Sequence, residues 1–180
     1  VVTTPNTSGR IDERVDAAGG RVERVRLGRL HEGITTVREA GSGETEVVFA
    51  AEPWKHIHPR FGAWMDSIVS AAVLSELIAE YGLETLREPI TERPYRKENV
   101  PCPDEKKKVT MAELHTTLPE RFPEATVETD YGVRLDFGDG SWTLVRPSGT
   151  EPYIRVYAES EKVDSLIREI VSCVEVAVPA

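Results

Sequence analysis

The chain has 180 residues, of which 39% are hydrophobic, and a formal net charge of −9. That is enough chain for one large or two small domains with real cores, and the apolar residues cluster periodically as they do in globular proteins. The acidic balance speaks against nucleic acid and against an anionic membrane surface, both of which demand basic patches, so any anionic ligand has to be held by a local set of donors inside a repelling field.

The opening "VVTTPNTSGRIDERVDAAGG" reads as strand, turn and short helix, with Asn6, Thr7 or Ser8 as cap and Gly19-Gly20 as stop. "RVERVRLG" alternates as a half-exposed strand, and "LHEGITTVREAG" predicts a short helix ending at Gly41. "TEVVFAAE", Thr45 to Glu52, predicts a buried strand. "DSIVSAAVLSELIAEYG" is the clearest helix: Ile68, Ala71, Ala72, Leu74, Ile78 and Ala79 share a face, Asp66 or Ser67 caps it and Gly82 follows it. Strands alternating with helices predict an α/β layered domain over residues 1–88.

Residues 89–110 are rich in proline and charge and read as a hinge holding at most one edge strand. Beyond it, "VTMAELHTTLPERF" predicts a helix with Met111, Leu114 and Leu118 on one face, stopped by Pro119; "DEKKK" before it reads as a solvated face or helix start. A strand, a hairpin at "GDGS", two more strands and a final helix carrying Val163, Leu166, Ile167, Ile170 and Val174 then predict an α+β domain with an antiparallel sheet over 111–180.

The last two strands are interrupted by "RPSGTEP", Arg146 to Pro152. A turn needs Pro and Gly, but not an Arg before it, hydroxyls within it and Arg155 just after it. Arg146 offers a planar fork for two oxygens, Pro147 stiffens the entry, Ser148 and Thr150 add hydroxyl donors, and Gly149 allows close backbone approach. The pattern predicts an anion site, with the Glu151 carboxylate turned away to orient an Arg. An ordinary hairpin loop with an exposed Arg is the plainer alternative. No Lys follows the glycine as it does in a Walker A loop.

"RPSGTEP" followed by "RVYAE" resembles the phosphate-binding loop of the α-D-phosphohexomutases, the group of phosphoglucomutase, phosphomannomutase and phosphoglucosamine mutase. "VVFAAEPWKHIHPRFGAWMDSIVSAAVLSELIAEYG" resembles that family's sugar-binding loop, G-E-x-S-G-H, and the helix after it. The resemblance covers nearly the whole chain, as third and fourth domains of a four-domain isomerase of carbohydrate metabolism. It implies a phosphoglucomutase domain-3-like fold followed by the family's TBP-like C-terminal fold.

The resemblance further implies that Arg146, Ser148, Gly149 and Thr150 hold phosphate with Arg155 in support, and that Glu52 and His56 stand in the sugar loop. This chain departs from the motif at Ala51, Trp54 and Lys55, where the family has Gly, Ser and Gly, so the preferred sugar does not follow. Trp54 is a candidate for stacking on a sugar, Lys55 for meeting a phosphate, and Arg29, after Gly28, for facing the cleft. No third ligand is well placed beside His56 and His58, which makes them a poor metal arrangement.

The function implied is the substrate-recognition half of an enzyme interconverting hexose 1-phosphate and hexose 6-phosphate through a bisphosphorylated intermediate. The phosphoserine and the D-x-D-x-D loop for Mg²⁺ are not in this sequence, so the chain alone is expected to be inactive and to bind no metal. The alternative is a non-catalytic sugar-phosphate module. Expected partners are a hexose phosphate and upstream domains of the same protein, since the chain opens at "VVTT" rather than at Met. Self-association through an exposed domain face is also plausible on this reading. Cys102 and Cys173 suggest no disulfide framework, and a reducing cytoplasm is the expected setting.

Overall fold

Val2 sits at the centre of the first sheet, pairing in parallel with Glu23 on one side and Ala50 on the other. The structure is a computed structural model that describes residues 1–41 and 46–179. It divides into two units, Val1–Glu92 and Arg93–Ala180.

In the first unit, β1 (Val2–Thr3), β2 (Glu23–Arg24), β3 (Ala50–Glu52) and β4 (Lys55–Ile57) lie in the order β2-β1-β3-β4. The first three run parallel and β4 returns antiparallel on β3. Helices α1 (Arg10–Ala17) and α2 (Leu30–Ala40) fill the crossovers. Leu30, Ile34 and Val37 of α2 pack on Val2, Val47, Ala50 and Ile57. A Cβ at Gly33 would come within 2.7 Å of Val25 and 2.9 Å of Val2, so glycine lets α2 lie close on the sheet.

The strands are shorter than the sequence predicts, because β1 offers only two residues to pair with. Thr45, the start of one predicted strand, lies outside the described residues. The α1 cap is also displaced. Gly9 occupies the N-cap position without a side-chain bond, while of the predicted caps the Ser8 hydroxyl accepts from the Arg10 N–H at 3.2 Å and the Asn6 carboxamide accepts from the Thr4 hydroxyl.

Helix α3 (Ser67–Tyr81) begins as predicted, with the Asp66 carboxylate accepting from the Ile68 and Val69 N–H groups at 3.0 Å, and Gly82 follows at φ +80°. Its apolar face does not enter the core of this unit. No α3 residue is buried, and Ile68 is 83% exposed. Among the described elements the helix lies chiefly along β4 and α4 (Leu83–Arg87).

The second unit is one antiparallel sheet of β5 (Tyr95–Pro101), β6 (Thr126–Glu128), β7 (Val133–Asp136), β8 (Trp142–Pro147) and β9 (Tyr153–Glu159), ordered β5-β9-β8-β7-β6. Helices α5 (Asp104–Arg121) and α6 (Val163–Ala177) contribute Leu114, Leu118, Ile170 and Val174 to a core with Val133, Leu135, Val145, Ile154 and Val156. The alternate residues Trp142, Leu144 and Tyr157 form a second buried cluster, as a period-2 chain requires.

Two expectations change here. The 89–110 segment is largely built into the second unit: β5 is a seven-residue edge strand paired along β9, and α5 starts at Asp104. Its prolines flank or end the strand, where a missing N–H costs least. Pro119 does not stop α5, which runs to Arg121, because Leu118 and Phe122 on either side are buried and hold the last turn. The "GDGS" turn forms as predicted, with Gly138 and Gly140 at positive φ and the Asp139 carboxylate accepting from the Ser141 N–H at 2.8 Å. That bond, the largest influence, lowers the Asp139 pKa.

Candidate functional site

The ladder between β8 and β9 sets Arg146 directly opposite Arg155. Like charges across a strand pair repel, so the surroundings have to compensate. The Arg146 guanidinium donates to the Tyr157 hydroxyl and to the Pro147 carbonyl, both at 3.1 Å. Arg155 pairs with the Glu151 carboxylate. Burial works against the Arg155 charge, but the Tyr157 hydroxyl and the Glu151 carboxylate outweigh it and raise its pKa. In both arginines Nε is buried without a hydrogen-bond partner. Two cross-strand guanidinium groups, each with an unused donor, are an arrangement that an anion completes.

The loop between the strands separates its donors from its acceptors. The carbonyls of Ser148 and Glu151 both accept from the Lys107 ammonium, at 2.7 and 2.6 Å, and that of Pro152 accepts from the Cys102 N–H at 2.9 Å. The Ser148 N–H closes the ladder on the Tyr153 carbonyl, and the Tyr153 N–H turns back to the Glu151 carbonyl. Among the described residues the N–H groups of Gly149 and Glu151 donate to no protein acceptor, and that of Thr150 reaches only the Ser148 hydroxyl at 3.5 Å. A Cβ at Gly149 would meet nothing within 4 Å, so open space lies over the loop. Ser148 is buried and Thr150 exposed.

In the first unit, Glu52 and Lys55 face each other across the β3–β4 hairpin and form an ion pair at 2.9 Å. They line a cavity of about 320 Å³ with Gly28, His31, Trp64 and Met65. It lies where β3 ends and α2 begins, the edge of a parallel sheet at which α/β folds place ligands. Glu52 is almost wholly buried, so its carboxylate is presented with little freedom.

Of the residues expected in the sugar loop, only Glu52 and Lys55 line this cavity. Trp54 is at the hairpin tip, 94% exposed. His56 lies against Phe49, with ring centroids 5.7 Å apart, and Arg29 pairs with Glu32. His58 packs on the other ring contact of Phe49 and reaches the Ser70 hydroxyl at 3.1 Å. Among the described residues no group of three or more His, Cys, Asp or Glu is placed to hold a metal.

The sequence reading missed Lys107, Tyr157, His31 and Trp64. The alternation of β9 puts Tyr157 on the face of Arg155, which was a usable signal. Lys107 stands in a run of three lysines and carries none.

Residues 98–174 match the family described as phosphoglucomutase/phosphomannomutase, C-terminal domain. Among curated relatives, a phosphopentomutase of Thermococcus kodakarensis is 42% identical over 163 residues, covering 89% of this chain and 34% of that protein. A probable phosphoglucosamine mutase of Methanothermobacter thermautotrophicus is 39% identical, covering 89% and 35%. The chain thus spans about a third of the length of these relatives.

Among solved structures, a phosphoglucomutase/phosphomannomutase family protein from Burkholderia thailandensis superposes with a TM-score of 0.73 at 18% identity, over 98% of this chain and 36% of that one. A Paramecium phosphoglucomutase, parafusin, gives 0.72 at 19%, over 98% and 37%. The fold is therefore that of the C-terminal region of phosphoglucomutase-type proteins. The chain belongs to the α-D-phosphohexomutase family.

Proposed function

We infer that this chain is the substrate-recognising portion of a phosphohexomutase, an intramolecular phosphotransferase that exchanges the 1- and 6-phosphates of a sugar through a bisphosphorylated intermediate. In this reading the first unit reads sugar hydroxyls through Glu52, with Lys55 beside it, and the second grips the phosphate that is not being transferred. The phosphoserine and the Mg²⁺-holding loop belong to other domains of the full-length enzyme, so this chain alone binds without turning substrate over.

The observation that carries the reading is the opposed pair Arg146 and Arg155, each with a buried Nε lacking a partner, beside the free N–H groups of Gly149 and Glu151. Such a clamp supplies orientation rather than bond-breaking groups. Because the substrate turns end for end, the clamp recognises phosphate and not one ring position.

The test is calorimetric titration with glucose 1-phosphate, mannose 1-phosphate, glucosamine 1-phosphate and, given the phosphopentomutase relative, ribose 1-phosphate. Binding is expected on the order of millimolar, since only part of the enzyme's contacts are present, and Arg146→Ala abolishes it. Equal affinity in that variant overturns the reading.

A further inference from the structure

The Lys107 ammonium makes three contacts: the carbonyl of Ser148 at 2.7 Å, the carbonyl of Glu151 at 2.6 Å and the Asp104 carboxylate at 2.5 Å. An ammonium has three N–H donors and no more, so all are used within the protein. The side chain is only 12% exposed. Lys107 is thus a cation beside the anion loop that has no donor left for an anion.

Its contacts nevertheless decide how the loop faces. A peptide plane presents its C=O and its following N–H in opposite directions. Holding the Ser148 carbonyl towards α5 turns the Gly149 N–H away from α5. That N–H is one of the loop donors without a protein acceptor. The Glu151 carbonyl is held on the same ammonium, so both ends of the short loop are fixed by one side chain rooted in the first turn of α5. Asp104, one helical turn earlier, anchors the ammonium and offsets its charge.

We propose that Lys107, set by Asp104, is a positioning residue that tethers the Ser148 and Glu151 carbonyls to α5 and so fixes the loop with the Gly149 N–H turned towards an incoming phosphate. This rests on the anion-binding reading of the loop. Without the tether the Ser148 carbonyl is free to turn outward, where its partial negative charge opposes the ligand, while the Glu151 carbonyl keeps only the Tyr153 N–H. The residue acts through the loop and does not touch the ligand.

The experiment titrates the 180-residue chain with inorganic phosphate by calorimetry, beside amide hydrogen exchange at Gly149 and Glu151. The proteins are wild type, Lys107→Met, Lys107→Arg, Asp104→Asn, Arg146→Ala and, as a core-destabilised control, Ile170→Val. Lys107→Met is expected to weaken phosphate binding about tenfold or more, and Asp104→Asn by about two- to threefold. Lys107→Arg restores part of the loss, and Ile170→Val binds as wild type. Exchange at the two loop amides changes in the Lys107→Met protein and not in the Ile170→Val protein.

If Lys107→Met does not fold, Asp104→Asn, on an exposed side chain, decides the matter alone by the same readouts. Wild-type affinity and wild-type loop exchange in the lysine and aspartate variants, with binding lost in Arg146→Ala, overturn the role of Lys107 and leave the anion site standing. Failure of the wild type to bind phosphate overturns both.

Discussion

A Cβ placed on Gly132 would stand 2.8 Å from the Cβ of Arg146 and 2.3 Å from the Val145 carbonyl. Gly132 also has φ +129°, a conformation other residues rarely adopt. The turn before β7 therefore presses against the strand that carries the arginine. Gly132→Ala is expected to cost about 1–3 kcal/mol and to weaken phosphate binding by displacing Arg146. Urea denaturation and phosphate calorimetry on the same variant check both halves. Unchanged stability would show that the turn yields without strain.

Glu151 competes with a ligand for Arg155. Glu151→Gln removes one negative charge from the loop and releases the guanidinium. Phosphate affinity is expected to rise severalfold at low salt, and the gain to shrink as salt screens the site. A loss of affinity would mean that the carboxylate's orienting of Arg155 outweighs its repulsion.

How much of this was legible beforehand differs between the two units. The Arg146–Arg155 pattern is local: the seven-residue stretch from Arg146 to Pro152 declares its own chemistry, and the register merely brings the two arginines opposite each other. The α3 helix was equally legible as a helix, because Asp66 and Gly82 bracket it. Its burial was not, because periodicity says that a face is apolar and not what covers it. Lys107 was hidden for a related reason. Its importance comes from carbonyls 41 and 44 residues away, and nothing in "DEKKK" distinguishes it from its neighbours. Trp54 misled in the opposite sense, since a large aromatic in a ligand motif invites a contact that the two-residue hairpin tip turns outward.

Tyr95 gives the unit a pH dependence. Burial, then the nearby Tyr157 and Glu159, push its phenol well above the usual range. A group whose folded pKa is raised contributes no loss below its unfolded value, near 10, and destabilises as pH climbs above it, where the unfolded chain ionises first. Stability is thus expected to fall from about pH 10 upward, and Tyr95→Phe to flatten that fall. Urea titrations at intervals from neutral to alkaline pH measure the difference. Parallel curves for the two proteins would remove Tyr95 as the cause.

Leu114 and Ile170 are fully buried between α5, α6 and the sheet. Leu114→Ala is expected to cost about 2–5 kcal/mol and Ile170→Val about 0.5–1.5 kcal/mol, without altering phosphate affinity in molecules that remain folded. Denaturant midpoints give the first quantity and calorimetry below the transition the second.

The central claim is that one loop and two facing guanidinium groups form a single anion pocket. Amide chemical shifts of the ¹⁵N-labelled chain, followed while inorganic phosphate is added at constant ionic strength, test it most directly. Saturable shifts led by Gly149 and Glu151 are expected, with the Arg146 and Arg155 Nε–H signals moving along the same curve and the three that remain in Arg146→Ala staying still. Shifts scattered over exposed lysines, with those four groups unmoved, would contradict it.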